Sequence, residues 1–280
     1  TSKDGLIDDD IRNVAITRDG SIWVGTEKGL THIKDGHFES FTEESGLSNN
    51  KVTKLFESHD GTLWISTERG GLSKYKDGVL SPMKIAGLTD NSVFSLAEDL
   101  DGRLWLGTGT GLVCLDGNRL INYSEIVKTL NDRIHSLLVD YEGILWIGTN
   151  GNGLFKVRTP KFTVYGEQEG IPRDDVWCVL EARDGSLWMG LGEGGGLARL
   201  KNGKIDSWSV KDGLPDSEVL SLYEAKDGKF WVGTGGGLCQ FINGRFKCYT
   251  TKQGMAQDQV TAISESADGS MWIGTYKGVS

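Results

Sequence analysis

The stretch IWVGT at residues 22–26 decides the fold, because close copies of it recur along the whole chain. The copies are LWIST (63–67), LWLGT (104–108), LWIGT (145–149), LWMGL (187–191), FWVGT (230–234) and MWIGT (271–275). Their tryptophans, each 41, 42 or 43 residues after the one before, are Trp23, Trp64, Trp105, Trp146, Trp188, Trp231 and Trp272. So constant a period indicates one repeated supersecondary unit.

Each unit predicts four strands, named a to d in chain order. An apolar run such as VTKLFE (52–57) is strand a, and the tryptophan run is strand b. Strand c follows a glycine-rich loop, as in GLTHI (29–33), and strand d ends near an aromatic residue. Acidic-Gly and Asn-Gly pairs between the strands favour tight hairpins. Seven such units predict an all-β, seven-bladed β-propeller of four-stranded antiparallel blades, with strand a innermost and negligible helix.

The prediction is a single domain over residues 1–280 with repeats at about 5–45, 46–86, 87–128, 129–169, 170–212, 213–253 and a partial 254–280. We expect the seven tryptophans to be structural, since blades cover both faces of a central strand and a tryptophan buries ~150–250 Å². The seventh unit stops at Ser280, which aligns with Cys239 at the start of strand c, and Thr1 aligns with Thr250 just after strand d. We therefore expect a parent chain that continues in both directions, and self-association through an open edge at 271–275.

Composition and residue spacing argue against several classes of function. A net charge of -9 argues against nucleic-acid binding. No apolar run is long enough to span a membrane. The four cysteines lack zinc-type spacing, and the four histidines show no metal-ligand spacing. GLGEGG at 190–195 matches G-x-G-x-x-G, but a strand rather than a helix is predicted after it. We expect no cofactor and no metal site.

The repeated residues resemble the two-component regulator propeller family. The pattern of that family begins GL-x-x-N-x-V, continues through an Asp-Gly turn and an LWIGT strand, and ends with a GGL turn and an aromatic strand. One repeat here reads GLSNNKV (46–52), HDG (59–61), LWIST (63–67) and GGLSKY (70–75). The resemblance covers the whole chain and recurs seven times.

That resemblance implies a function class. Such propellers usually form the periplasmic, extracytoplasmic sensor region of bacterial histidine kinases or hybrid two-component proteins, whose output modules are absent from this sequence. The implied function is non-catalytic ligand sensing, with a carbohydrate-type ligand and flanking domains of the same polypeptide as partners. Two alternatives stay open: a propeller enzyme similar to the streptogramin lyases, and a protein–protein interaction scaffold.

The d–a loops carry the candidate site. Asp9, Asn50, Asn91, Asp132, Asp174, Ser217 and Asp258 recur at one position, and Asx-type turns that cap the strand are the favoured interpretation. The positions that follow vary between blades and are therefore free to bind a ligand. The candidate ligand-binding residues on the face of the d–a and b–c loops are Arg12, Lys51, Phe94, Arg133, His135, Arg173, Asp175, Trp177 and Glu218. Aromatics among mixed charges suit a sugar or a polar peptide, although packing of these aromatics between blades is an equal alternative.

Two cysteines should face each other. The Asn243-Gly244 turn sets a register that pairs Cys239 with Cys248, with Cα atoms ~4.5 Å apart. That separation permits a disulfide. The oxidation state stays open, with two reduced, packed thiols slightly favoured.

Overall fold

The computed structural model of the chain describes residues 1–280 except 84, 86, 89–90, 118, 127–129 and 159–160. The predicted repeat boundaries at 86, 128 and 129 lie outside the described residues. The strands form seven antiparallel sheets, in which neighbouring strands are consecutive in the chain. The chain is therefore a seven-bladed β-propeller, as predicted.

Blades 1 to 7 follow the chain order. Blade 1 comprises β1 (Ile11–Ile16), β2 (Ile22–Thr26), β3 (Leu30–Lys34) and β4 (His37–Phe41). Blade 2 comprises β5 (Val52–Glu57), β6 (Leu63–Thr67), β7 (Gly71–Lys76) and β8 (Val79–Met83). Blade 3 comprises β9 (Val93–Glu98), β10 (Leu104–Thr108), β11 (Gly111–Asp116) and β12 (Arg119–Asn122), followed by the short helix α1 (Tyr123–Ile126). Blade 4 comprises β13 (Ile134–Val139), β14 (Leu145–Thr149), β15 (Leu154–Arg158) and β16 (Lys161–Tyr165).

The remaining blades repeat this arrangement. Blade 5 comprises β17 (Val176–Glu181), β18 (Leu187–Leu191), β19 (Leu197–Lys201) and β20 (Lys204–Trp208). Blade 6 comprises β21 (Val219–Glu224), β22 (Phe230–Thr234), β23 (Gly237–Ile242) and β24 (Arg245–Tyr249). Blade 7 comprises β25 (Val260–Glu265), β26 (Met271–Thr275) and β27 (Gly278–Val279).

The strands a lie innermost and close the ring. Each packs against the strand a of the next blade, and β25 packs against β1. Seven hydrophobic clusters lie between successive blades, and the last joins Ala262 of blade 7 to Ile11 and Val24 of blade 1. The core is thus a ring of inter-blade layers.

The tryptophans of strand b belong to these layers, but not equally. Trp23, Trp105, Trp146 and Trp188 are at most 5% exposed. Trp64, Trp231 and Trp272 are only half-buried. The structural interpretation therefore holds fully for the first four and only partly for the other three.

The turns use two geometries. In the c–d hairpins Asp35, Asp77, Asn202 and Asn243 take φ of 49° to 50°, each followed by a glycine with positive φ. Two successive positive φ values are the type I′ turn that matches strand twist. The a–b turns instead close with the N–H of Gly20 bonded to the Thr17 carbonyl, and only the glycine there has positive φ.

The repeated Asx residues of the d–a loops act differently from the predicted strand caps. Short 3-10 turns precede them at Ser2–Asp4, Glu43–Ser45, Glu167–Glu169 and Thr251–Gln253. The side chains of Asp9, Asn50, Asp174 and Asp258 accept the backbone N–H seven residues earlier, at the start of these turns. These side chains therefore hold the 3-10 turn that precedes them in the d–a loop. Asp132 differs, because it accepts from the Gly151 backbone in its own blade.

Blade 7 has three strands among the described residues, as predicted, but its edge is shorter than predicted. The short β27 pairs with Gly274 and Thr275, and Ile273 exchanges two backbone hydrogen bonds of 2.9 Å with Ser280. The expectation of an open edge along the whole of 271–275 was wrong, because these few residues cover most of it. The start of the strand, at Met271, keeps its edge open.

The predicted register of the 243–244 hairpin is confirmed. Cys239 pairs with Cys248, with Cα atoms 4.0 Å apart, and a disulfide joins them. The slight preference for reduced thiols was therefore wrong. Cys114 and Cys178 are free thiols. Within the described residues, no helix has the length and hydrophobicity needed to cross a membrane.

Candidate functional site

A β-bulge interrupts strand a in every blade. The pairing with strand b skips one residue on strand a, for example Arg12 between Ile11 and Asn13, or His135 between Ile134 and Ser136. The skipped residues, which we call the bulge residues, are Arg12, Thr53, Phe94, His135, Trp177, Leu220 and Thr261. A bulge changes the direction of a side chain relative to regular pleating.

The bulge residues surround one cavity at the centre of the ring. All seven line a cavity of about 500 Å³, together with Lys51, Val52, Glu68, Arg133 and Tyr276. This cavity, which we call the mouth, opens on the face of the d–a and b–c loops. Because every blade contributes one bulge residue, the fold itself determines the site while the sequence of each blade determines its chemistry.

One side of the mouth, at blades 7, 1 and 2, carries linked charges. Arg12 pairs with Glu27, and its Nη1 donates to the Tyr276 hydroxyl at 3.2 Å. Lys51 Nζ lies 3.2 Å from Glu27 and 2.7 Å from Glu68. The bond to Glu68 raises the pKa of Lys51 and lowers the pKa of Glu68. These cations are thus already neutralised by protein carboxylates.

The other side, at blades 3 to 5, is aromatic. The Arg133 guanidinium lies 4.8 Å from the centre of the Phe94 ring. His135 Nε2 lies 2.9 Å from Asn150 Oδ1, and its ring centre is 6.1 Å from that of Trp177. Phe94, His135 and Trp177 all line the cavity, so this side of the mouth is aromatic.

Several polar atoms at the mouth lack a partner. Among the described residues, Asp175 Oδ1 and Trp177 Nε1 are buried without a hydrogen bond. Burial raises the pKa of Asp175, and also those of Asp10 and Glu218. Buried polar groups normally find partners, and the Trp177 indole, which interacts with the Asp175 carboxyl behind it, lines the mouth where its N–H can meet a ligand.

Six of the nine predicted residues line the mouth: Arg12, Lys51, Phe94, Arg133, His135 and Trp177. Asp175 lies behind them, with Oδ1 3.9 Å from His135 Nε2. Arg173 turns away and donates to the Glu193 carbonyl at 3.0 Å. Glu218 also lies outside the lining, where its carbonyl accepts from Gly235.

Sequence analysis missed Glu68 and Tyr276. Both directly follow strand b, at a position that is glycine in three blades and varies among the others, and this variation was the available signal. The backbone N–H of this position often bonds to the strand before the bulge, as from Glu68 to the Lys51 carbonyl at 2.9 Å. Among the described residues, no three His, Cys, Asp or Glu side chains converge closely enough to hold a metal ion.

Comparison with solved structures supports the fold. The extracellular domain of BT3049 from B. thetaiotaomicron, a protein assigned to the hybrid two component systems, superposes with a TM-score of 0.88 at 22% identity, over 100% of this chain and 39% of that chain. A streptogramin B lyase matches with a TM-score of 0.78 at 18% identity, over 98% of this chain and 93% of that chain. An inactive virginiamycin B lyase from Staphylococcus aureus matches with a TM-score of 0.78 at 15% identity, over 98% and 95% of the two chains. At these identities the likeness concerns the fold alone.

The sequence itself identifies the family. None of the curated proteins matches the chain significantly. The two component regulator propeller family matches residues 5–28, 46–69, 87–110, 130–151, 213–236 and 254–277, together about half of the chain. The unmatched repeat is blade 5, which carries Asp175 and Trp177 and has LWMGL in place of LWIGT. The chain therefore belongs to the two component regulator propeller family.

Proposed function

We propose that this chain is a non-catalytic sensor propeller that binds a ligand in its mouth, as part of an extracytoplasmic, periplasmic region of a bacterial two-component signalling protein. The ligand class that we favour is a carbohydrate. The chain spans 39% of the length of the similar extracellular domain, so flanking domains that carry the output belong to the proposal.

The observation that carries this proposal is the convergence of all seven bulge residues on one cavity. Aromatic rings offer flat apolar faces to the C–H groups of a sugar, and neighbouring polar atoms can bond its hydroxyls. Phe94 and Trp177 provide the rings, and Trp177 Nε1, which is buried without a well-formed hydrogen bond, provides a donor. A pocket of this kind favours binding and orientation.

The test is direct binding. Saturation-transfer NMR of the purified chain with a panel of glycan fragments should detect a ligand, and calorimetry should give its affinity. Trp177→Ala should weaken that affinity about tenfold or more, since it removes an aromatic face and a hydrogen-bond donor. Tyr141→Ala is the matched control, because Tyr141 is 75% exposed in an a–b turn on the opposite face. Equal losses in the two variants would contradict binding at the mouth.

Catalysis is the second candidate, favoured by one observation. His135 lines the mouth, and its Nε2 lies 3.9 Å from Oδ1 of Asp175 behind it, a neighbourhood of base and carboxylate from which acid–base chemistry could be built. Incubation of the chain with glycans and cyclic peptides, followed by mass spectrometry, decides between the candidates. Product formation that His135→Ala abolishes would overturn the non-catalytic proposal.

A further inference from the structure

One lysine lies in a second ring of residues, one position after the bulges. The residue after each bulge pairs with strand b, and these seven residues form a second ring: Asn13, Lys54, Ser95, Ser136, Cys178, Ser221 and Ala262. Lys54 is the only member of this ring whose side chain can carry a positive charge, and burial raises the pKa of the Cys178 thiol to about 12. We call this set of seven residues the lysine ring.

Most other members of the lysine ring turn towards the next blade. Asn13 Oδ1 accepts from the Leu55 N–H at 3.0 Å, and Ser221 Oγ donates to the Val260 carbonyl at 3.2 Å. Such side chains lie directly over a glycine of strand b: a Cβ added to Gly233 would come within 2.1 Å of Ser221 Oγ. The strand b residue that pairs with each member of the lysine ring therefore determines whether that member's side chain has room to bond to the next blade.

In blade 2 a side chain fills the space that a glycine leaves open in other blades. Ser66 replaces the glycine opposite Lys54, and its hydroxyl bonds to Thr53 Oγ1 at 3.0 Å and to the Lys54 carbonyl at 3.2 Å. Thr53 supplies the inter-blade bond instead, by donating to the Val93 carbonyl. In blade 2 the inter-blade bond is therefore made by Thr53 and not by the Lys54 side chain, which couples electrostatically to Cys178 of blade 5 instead.

The ammonium of Lys54 lacks a counter-charge there. Its electrostatic neighbour is Cys178, which belongs to blade 5 on the far side of the ring. Among the described residues it has no ion pair or hydrogen bond, and burial lowers its pKa. Ser136 Oγ in the same ring is likewise buried without a partner. A lysine and a hydroxyl in the same ring, both without a partner, are the components of an anion site.

We propose that Lys54 binds an anionic oxygen group, such as a carboxylate or sulfate, on the acidic substituent of the ligand that fills the mouth. The proposal rests on the proposed function, because the cavity reaches Val52 and Thr53, directly before Lys54. The mouth cations Arg12 and Lys51 already have carboxylate partners and Arg133 lies over the Phe94 ring, whereas Lys54 has no such partner among the described residues before the ligand's acidic group arrives.

The test follows the Lys54 side chain by NMR of lysine-labelled protein, with Lys54→Met to assign its Cε signal. The probes are glucuronate, its neutral counterpart glucose, and acetate. We expect glucuronate to shift the Lys54 signal and to raise its pKa, and glucose to do neither. Lys54→Met should weaken glucuronate binding about tenfold. Lys74→Met, at an exposed lysine of the same blade, should leave it unchanged.

Each outcome separates this inference from the proposed function. A shift with acetate but no sugar binding supports a free-anion site and contradicts carbohydrate sensing. Equal binding of glucose and glucuronate at the mouth, with a silent Lys54 signal, supports sensing and overturns the anion site. No response of Lys54 to any of the three probes also overturns it.

Discussion

Two buried aspartates show how single side chains stabilise a blade. Asp140 is 8% exposed, and its Oδ2 accepts from Trp146 Nε1 at 2.8 Å. Its Oδ1 accepts from the backbone N–H groups of Glu142 and Ile144 at 3.0 and 2.8 Å. Asp99 repeats these bonds around Trp105 in blade 3. One carboxylate therefore fixes both the a–b turn and the indole of the conserved repeat motif.

Asp140→Ala should lower the free energy of unfolding by about 3 kcal/mol, because it leaves a buried indole N–H and two backbone N–H groups without an acceptor. Urea unfolding measures the difference. Asp116→Ala, at an exposed aspartate beside a c–d turn, should change it little. Equal effects of the two substitutions would argue against the role of Asp140.

The exposed turn aspartates should make stability depend on acid pH. Lys201 and Ser186 bond to Asp184 and lower its pKa from 3.8 to about 2. A folded-state pKa below the unfolded one stabilises the fold above pH ~4, and this contribution is lost as the pH falls towards 2. Asp184→Asn should therefore lower the urea midpoint clearly at pH 7 and much less at pH 2.5, close to the folded pKa. A constant difference at both pH values would contradict this linkage.

Hairpins could be predicted from local sequence, whereas bulges could not. The register of 239–248 follows from the Asn243-Gly244 turn alone, because that turn type fixes which residues face each other. The bulge at Trp177 has no local signal, since it arises where strand a enters a crowded ring. The variable positions nevertheless identified six lining residues, because positions that differ between repeats are not required by the fold. Glu68 and Tyr276 lay on another strand, and only the folded blade brings them to the mouth.

Neighbouring blades are also joined at the opposite end of strand a. The last residue of this strand is a glutamate in several blades, and it accepts the N–H of the a–b turn in the preceding blade. The bonds are Arg18 to Glu57 at 3.0 Å, His59 to Glu98 at 2.7 Å, Tyr141 to Glu181 at 3.0 Å, Arg183 to Glu224 at 2.8 Å and Lys226 to Glu265 at 2.7 Å. Val139 occupies this position in blade 4 and Ile16 in blade 1, so these two junctions lack such a carboxylate.

Glu224→Ala should speed hydrogen exchange at the Arg183 amide and destabilise the fold by about 1–2 kcal/mol, because a charged acceptor is lost at a half-buried junction. Exchange monitored by NMR reports the amide directly. Glu44→Ala, at an exposed glutamate of a d–a loop, should alter neither quantity. Unchanged exchange at Arg183 in Glu224→Ala would refute the inter-blade bond.

Within residues 1–280, one junction of the ring differs from the other six. Successive blades are joined by d–a loops of this segment, whereas its blades 7 and 1 contact each other through side chains and packing. Thr261 Oγ1 donates to the Ile11 carbonyl at 2.7 Å, and Arg12 Nη1 donates to the Tyr276 hydroxyl at 3.2 Å. The N-terminal segment adds Leu6 to the hydrophobic cluster between these blades. Local opening should therefore begin at this junction, where the fewest constraints resist it.

Thr261→Val tests this expectation, because it keeps the shape of the side chain and removes its hydrogen bond. The loss of about 1 kcal/mol should speed exchange about fivefold in β1 and β25, while β9 and β13 stay protected. Thr53→Val is the matched control, since Thr53 makes the same bond to the Val93 carbonyl at a junction that the chain also connects. It should not speed exchange in β1 and β25, because opening at blades 2 and 3 must also strain the d–a loop. Exchange that rises evenly around the ring in Thr261→Val would show that the blades open as one unit and that the junction of blades 7 and 1 is not the weakest.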